Sequence, residues 1–250
     1  MRGLQSQRLS TEIEEDDVRP AMTRRRGSRA PHPAVAPRER VKIMMMQSLR
    51  RLLSALVLGC AATGAWATVD VSGVPLDETV TVAGVPLHLN GAGFRKRGYF
   101  KIDVTALYLQ QKATTLDAVE NAPGVKRVQL VIQQDVTGSQ ASRYFLIDFE
   151  ASATPAEFAK LITEVSQVGD IYSSLPKIKK GDVVTMDWIP GKGLVATLNG
   201  TQLQAHGTPS PYINSELLAK VMLRMYVGGK TPAELHDNLL GLSNSMRDKK

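Results

Sequence analysis

The seven residues Gly91-Ala92-Gly93-Phe94-Arg95-Lys96-Arg97 set two glycines and three cations directly before the apolar run "YFKIDVTALYL" at 99–109. Paired glycines let the backbone take strained turns and let another group approach closely. Arg95 can therefore be read as a fixed positive charge at the mouth of a hydrophobic layer, able to donate charge-assisted hydrogen bonds to a carboxylate or a phenolate. The competing reading is a solvated hairpin tip, the natural place for Lys96 and Arg97. Local pattern leaves both open for Arg95.

Other chemistries lack a signature. There is no phosphate-binding loop, no nucleophile elbow and no histidine spacing suited to a metal, so neither a cofactor nor a metal is expected. "GAGFRKRG" superficially suggests a dinucleotide loop, but it lacks the third glycine of that pattern, leads into a strand and sits in no βαβ unit. His88, His206 and His236 fall in a strand, a loop and a helix, and nothing pairs them at ligand spacing. Met222 and Met225 read as core filler, although methionine also suits a pocket that accepts varied apolar shapes.

The elements that must position Arg95 start with strands: "TVDVSGV", "VAGVPLHLN", "YFKIDVTALYL" and "KRVQLVIQQ". In the third, Phe100, Ile102, Val104, Ala106 and Tyr108 alternate with Tyr99, Lys101, Asp103 and Thr105, and Leu107 and Leu109 make its end apolar on both faces. It should enter half exposed and finish buried. "SQASRYFLIDFEAS" fits helix and strand equally. "TPAEFAKLITEVSQV" opens with a capping box, Thr154 and Glu157, with Pro155 at the first helical position, and carries a stripe of Phe158, Leu161, Ile162 and Val165. "VVTMDWIP", "LVATLNG" and "TQLQAH" should form a meander turning at 190–193 and at Asn199-Gly200. Two helices close the chain, "NSELLAKVMLRMYV" and "TPAELHDNLLG", the second with a capping box at Thr231 and Glu234. The expected class is α+β, an antiparallel sheet with helices on one face.

Residues 1–43 are charged and proline-rich, a composition that does not sustain a core, and read as a disordered or mis-annotated leader. Residues 44–67 carry a basic start, an apolar middle and Ala65-Trp66-Ala67, the order of a secretory signal peptide, too short for a stable membrane span. Translation is then expected to start at Met44, Met45 or Met46, with cleavage after Ala67 and a periplasmic or secreted product. The alternative is lipid anchoring at Cys60, the only cysteine. Residues 68–250 form one domain of ordinary size. Residues 1–67 hold 12 Lys and Arg against 6 Asp and Glu, and residues 68–250 hold 19 against 18. The basic excess is thus a property of the leader, and no nucleic-acid partner is expected.

Gly91 to Arg95, "YFKIDVTALYL", "KGDVVTMDWIPGKGLVATLNG" and "MYVGGKTPAELHDNLLG" together resemble the bacterial chalcone isomerase-like proteins over about residues 72–241. The resemblance implies an open-faced β-sandwich, a large antiparallel sheet covered by helices with a ligand cleft between them. It also implies an arginine at position 95 that polarises a chalcone in the plant enzymes, or holds a carboxylate in plastid fatty-acid-binding relatives. Asp103 falls where the plant enzymes place a threonine on the strand. Ala141 falls at their tyrosine position and Asp148 at their asparagine position, so the hydroxyls that orient a chalcone are expected to be missing.

The resulting expectation is an exported binding protein without catalysis, holding a small amphipathic molecule, fatty-acid-like or phenolic, through Arg95 and Asp103. The alternatives are a cofactor-independent intramolecular lyase with Arg95 as its catalytic residue, and a structural or partner-binding module without a ligand. The oligomeric state is not legible.

Overall fold

A computed structural model of the chain describes residues 67–71 and 73–243; the expected leader, the expected signal peptide up to Trp66 and Cys60 lie outside the described residues. Strands β1 (Thr68–Val71) and β2 (Val74–Asp77) pair as an antiparallel hairpin turning at Gly73, where φ is +89°. A seven-stranded antiparallel sheet follows in unbroken sequence order: β3 (Thr79–Val82), β4 (Val85–Arg97), β5 (Phe100–Leu109), β6 (Lys126–Ile132), β7 (Val183–Ile189), β8 (Gly193–Leu198) and β9 (Thr201–Gln202). Each strand pairs with its chain neighbours, and the sheet curls into a half-barrel.

The hairpin chemistry is local. Asn199-Gly200 takes φ of +51° and +80°, the paired left-handed geometry that matches the twist of flanking strands. Ala83-Gly84 does the same at +50° and +81°, so the stretch expected as one strand, "VAGVPLHLN", breaks into the β3–β4 turn. The expected turn at Gly91 and Gly93 is absent: both lie inside β4, which runs on to Arg97 and reverses only at Gly98-Tyr99. These glycines answer to a neighbour. A Cβ on Gly91 would stand 2.0 Å from the carbonyl oxygen of Asn238, and one on Gly93 would stand 3.0 Å from the Asn238 side chain.

The helices are α1 (Leu116–Asn121), α2 (Gly138–Ser152), α3 (Pro155–Lys160), α4 (Ile162–Ser173), α5 (Glu216–Val227) and α6 (Ala233–Leu239). The ambiguous stretch is α2, opened by a reciprocal capping box between Thr137 and Gln140. The Thr154–Glu157 box forms as expected, but its helix breaks at Leu161 (φ −108°, ψ 11°), and the break leaves Ile162 60 % exposed instead of in the stripe. The Thr231–Glu234 box does not form. Thr231 donates to the Met225 carbonyl, Glu234 is drawn to Lys96 at 2.7 Å, and Pro232 occupies the cap. Arg224 of α5 reaches Glu120 of α1 and Glu157 of α3, tying three helices together.

The sheet is covered on both sides. Leu107, Leu109, Val128, Leu130 and Ile132 pack under the helices, while Val104, Ala106 and Tyr108 pack with Val74 and Leu76 of the β1–β2 hairpin. Each valine, leucine or isoleucine side chain removed from water there contributes about 1.5–3 kcal/mol. The polar face expected on β5 is corrected by this arrangement: Asp103 and Thr105 are fully buried because their side of the strand lies beneath the helix layer.

Candidate functional site

Two bulges in the β4–β5 ladder shape the site. The first leaves Asn90 as an extra residue between Leu89 and Gly91. Its amide donates to the carbonyls of Ala113 and Leu239 and accepts from the Ala113 N–H, so it satisfies an orphan carbonyl at the end of α6. The second follows the Arg95↔Asp103 pair and leaves Ile102 without a partner on β4. A bulge re-aims its side chains, and Ile102 joins the wall of a cavity on the helix side of the sheet although strict alternation would send it the other way.

That cavity has a volume of about 50 Å³ and an apolar wall, including Leu130, Ile132, Val136, Phe145 and Ile178. Arg95 is the one charged residue in the wall, with a side chain 19 % exposed. Its Nε and Nη2 donate to Asp103 Oδ2 at 2.8 and 2.6 Å, and Thr105 Oγ1 donates to Asp103 Oδ1 at 2.7 Å. Among the described residues, Nη1 is engaged only by Asp148, at 3.5 Å. The guanidinium also lies 5.6 Å from the centre of the Tyr226 ring. Burial, the largest single influence, works against the charge on Arg95, but Asp103, Tyr226 and Asp148 together outweigh it and hold its pKa above the ordinary arginine value.

The three cations have different surroundings. Arg95 lines the cavity; Lys96 lies at the surface in its pair with Glu234. Arg97 was expected in solvent, but it is half-buried, pairs with Asp148 and stacks 5.0 Å from the Tyr144 ring centre. Asp103 does not line the cavity; it acts on it through Arg95. Asp148 bridges Arg95 and Arg97, and Ala141 lies in the cavity wall. Met222 and Met225 are also wall residues rather than filler alone. The histidines stay apart, His88 by Thr79, His206 by Asp170 and His236 by Asp237, and no group that could hold a metal is found among the described residues.

Hydroxyl groups reach the cavity from positions other than those compared with the plant enzymes. Tyr144, Tyr172 and Tyr226 all line the cavity, from α2, α4 and α5. Burial pushes Tyr172 up to about 12 against the opposing pull of Arg95, and it pushes Tyr226 upward in the same way. Both are therefore hydrogen-bond donors at neutral pH. Sequence reasoning missed them because they lie far from Arg95 in the chain. The available signal was Tyr226 falling four residues after Met222 on one helix face.

A cavity of about 50 Å³ is smaller than the roughly 150 Å³ that accommodates a benzene ring, so occupancy by anything larger requires wall side chains to move. Two smaller cavities adjoin it. One shares Tyr172, Met186 and Met222 with it; the other shares Met186, Met222 and Tyr226. The partitions are thus largely methionines, whose unbranched side chains change rotamer at low cost.

A curled antiparallel sheet under helices, with one arginine set into an apolar pocket between the layers, defines an open-faced α+β fold built around an internal cavity. The chain belongs to the chalcone isomerase-like family, whose model matches residues 68–241. Among solved structures it is similar to a fatty-acid binding protein of Arabidopsis thaliana, with 13 % identity, a TM-score of 0.57, and coverage of 73 % of this chain and 100 % of that one. At that identity the likeness is one of fold. The search of curated proteins gave no match.

Proposed function

We propose that this protein binds a small amphipathic molecule, fatty-acid-like or phenolic, in the cavity between sheet and helices, with Arg95 as its polar anchor and Asp103 as the residue that holds Arg95 in place. The observation that carries the reading is a single guanidinium, beside three tyrosines, in a wall otherwise built of apolar side chains, with Nη1 left almost unengaged. The fatty-acid binding protein of the same fold supports it. Because Asp103 already neutralises the guanidinium, the site asks for a hydrogen-bond acceptor and does not require an anion. Each methylene buried in the apolar cavity then adds about 0.8 kcal/mol.

The test is titration of a fatty-acid and flavonoid panel against three variants. Arg95→Ala should weaken binding by about tenfold or more, the loss of one hydrogen bond to a charged group. Asp103→Asn should strengthen binding of anionic members, since it frees a positive charge. Lys96→Ala should change nothing. Equal affinity in all three would show Arg95 to be only a structural charge. Native mass spectrometry of protein from its own host would identify a retained ligand.

A second reading, an intramolecular lyase needing no cofactor, is favoured by the three tyrosines around Arg95. Held protonated, Tyr172 and Tyr226 could polarise a substrate carbonyl by donation but could not serve as bases. Absorbance loss of a chalcone measures this directly. Turnover far above the buffer rate, abolished by Arg95→Ala, would replace the binding assignment with this one.

The reading includes export, with a mature start at Thr68. The family match begins at that residue, and β1 begins there too. N-terminal sequencing of the exported form tests it, and a lipidated Cys60 would overturn it.

A further inference from the structure

The tip of the β4–β5 hairpin is an apolar surface that the cavity of Arg95 does not account for. The chain reverses at Gly98-Tyr99, where Tyr99 is fully exposed and Phe100 beside it is 61 % exposed. Tight turns favour glycine, asparagine and aspartate for their backbone geometry. Two adjacent aromatic rings standing in water are not required by the turn.

Cations surround the tip. Lys96 and Lys101 stand directly opposite one another in the ladder, and like charges so placed destabilise a strand pair unless a negative group answers them. Lys96 is answered by the exposed Glu234, whereas Lys101 has no ion pair among the described residues and lies over the Phe94 ring at 3.8 Å. At the root of the hairpin, a pocket of about 160 Å³ has Arg95, Lys96, Arg97 and Lys230 in its wall against a single carboxylate, Asp148. Lys230 is exposed and likewise has no ion pair among the described residues. The pocket shares Arg95 and Met225 with the inner cavity.

We propose that this hairpin tip docks on the surface of a lipid bilayer that carries anionic headgroups, with Tyr99 and Phe100 in the interface and Lys101 and Lys230 against the phosphates. Aromatic side chains settle at the boundary between headgroups and acyl chains, and lysines close to an anionic surface add attraction to it. Two aromatic side chains offer about 300–500 Å², short of the roughly 800 Å² per partner of a standard protein interface. A bilayer needs no such shaped area. No helix among the described residues is long and apolar enough to cross a membrane, so the contact is one of surface and tip. Together with the binding function proposed above, docking would set the pocket beside Arg95 against the layer in which amphipathic molecules accumulate; the docking itself does not depend on that function.

An environment-sensitive dye at position 99 reads the tip directly. In a Cys60→Ser background, which removes the only cysteine, a labelled Tyr99→Cys chain is compared with a labelled Lys192→Cys chain. Lys192 is exposed in the β7–β8 turn, at the end of the sheet where Leu109, Lys126 and Trp188 align, away from the tip. With vesicles of phosphatidylcholine mixed with phosphatidylglycerol, the dye at 99 should shift to the blue and lose contact with an aqueous quencher, while the dye at 192 should not change. Salt should reverse the shift, and phosphatidylcholine alone should give far less of it. Lys101→Gln/Lys230→Gln should raise the vesicle concentration required by about thirtyfold, the effect of two charges at an anionic surface. The measurement is made on the full chain and on the chain from Thr68, which lacks the 12 Lys and Arg of residues 1–67. Equal shifts at 99 and 192, no shift at either, a shift that needs residues 1–67, or a titration untouched by Lys101→Gln/Lys230→Gln would overturn the docking. Self-association of the chain that Phe100→Ser abolishes would overturn it too, by giving the tip to a second copy. Failure of the cavity to bind any fatty acid or flavonoid would leave the vesicle result unaffected, so the two proposals fail separately.

Discussion

Arg95 and Asp103 face each other directly across β4 and β5, with two guanidinium nitrogens on one carboxylate oxygen at 2.8 and 2.6 Å and the carboxylate fully buried. Removing one partner strands the other. Arg95→Met should therefore destabilise the fold by about 3–5 kcal/mol, the cost of leaving a buried charge uncompensated. In Arg95→Met/Asp103→Asn, Thr105 keeps an acceptor and no charge remains, so much of that loss should return. Chemical denaturation of the two single variants and the double should give a coupling energy of about 2–3 kcal/mol. Additive single effects would mean that the pair contributes nothing as a pair.

The same strand carries a second dependence, on α6. A Cβ at Gly91 would lie 2.0 and 2.6 Å from the carbonyl oxygens of Asn238 and Leu239, both backbone atoms that cannot rotate away. Gly91→Ala should cost at least about 3 kcal/mol, at the upper end for overpacking. Gly98→Ala is the control, since its Cβ meets nothing within 4 Å and only the φ of +58° is strained; about 1 kcal/mol is expected there. Thermal melts of the two proteins should differ accordingly, and equal melting temperatures would place the close approach of α6 in doubt.

These two positions show where sequence is and is not informative. The Asn199-Gly200 turn, the Thr154–Glu157 cap and the period-two strands were legible because the interactions that fix them lie within a few residues. Gly91 and Gly93 were visible as special, but they read as a turn because the helix that requires them lies almost 150 residues later, as in the 149-residue separation of the Asn90–Leu239 hydrogen bond. Arg95 could be singled out as a cation before a strand, whereas its direction depends on a bulge at Ile102 and on a buried aspartate. Tyr172 and Tyr226 are hard to read as site residues for the same reason: each sits on a helix stripe that looks like ordinary core, and only packing brings both to the cavity of Arg95.

Acid should loosen the helix layer through Glu157. Its carboxylate accepts from the Thr154 N–H at 2.8 Å and from Arg224 at 3.0 Å, and these contacts, the backbone one first, hold its pKa below the usual carboxylate range. A depressed folded-state pKa gives stability that is complete above the unfolded value and is lost as pH falls through the folded one. Glu157→Gln should thus melt below wild type at neutral pH, and the gap should close as pH drops below about 4. A gap that stays constant down to strongly acidic pH would assign the effect to shape and not to charge.

Base should act through the tyrosines. Burial raises Tyr108 and Tyr172 to about 12 and moves Tyr226 upward as well, so three of the six tyrosines resist ionisation while the chain is folded. In the unfolded chain they ionise near pH 10. The unfolded state therefore binds fewer protons than the folded state above that pH, and stability must fall as pH rises from about 10 toward 12. Tyrosinate absorbance should then rise in two parts, the second coinciding with loss of near-ultraviolet circular dichroism. Tyr172→Phe/Tyr226→Phe keeps the aromatic packing without the titrating groups, so its alkaline transition should move to higher pH. A single absorbance step near pH 10 in a protein that keeps its tertiary signal would mean that Tyr172 and Tyr226 reach water freely. Their hydroxyls would then not be held as donors beside Arg95.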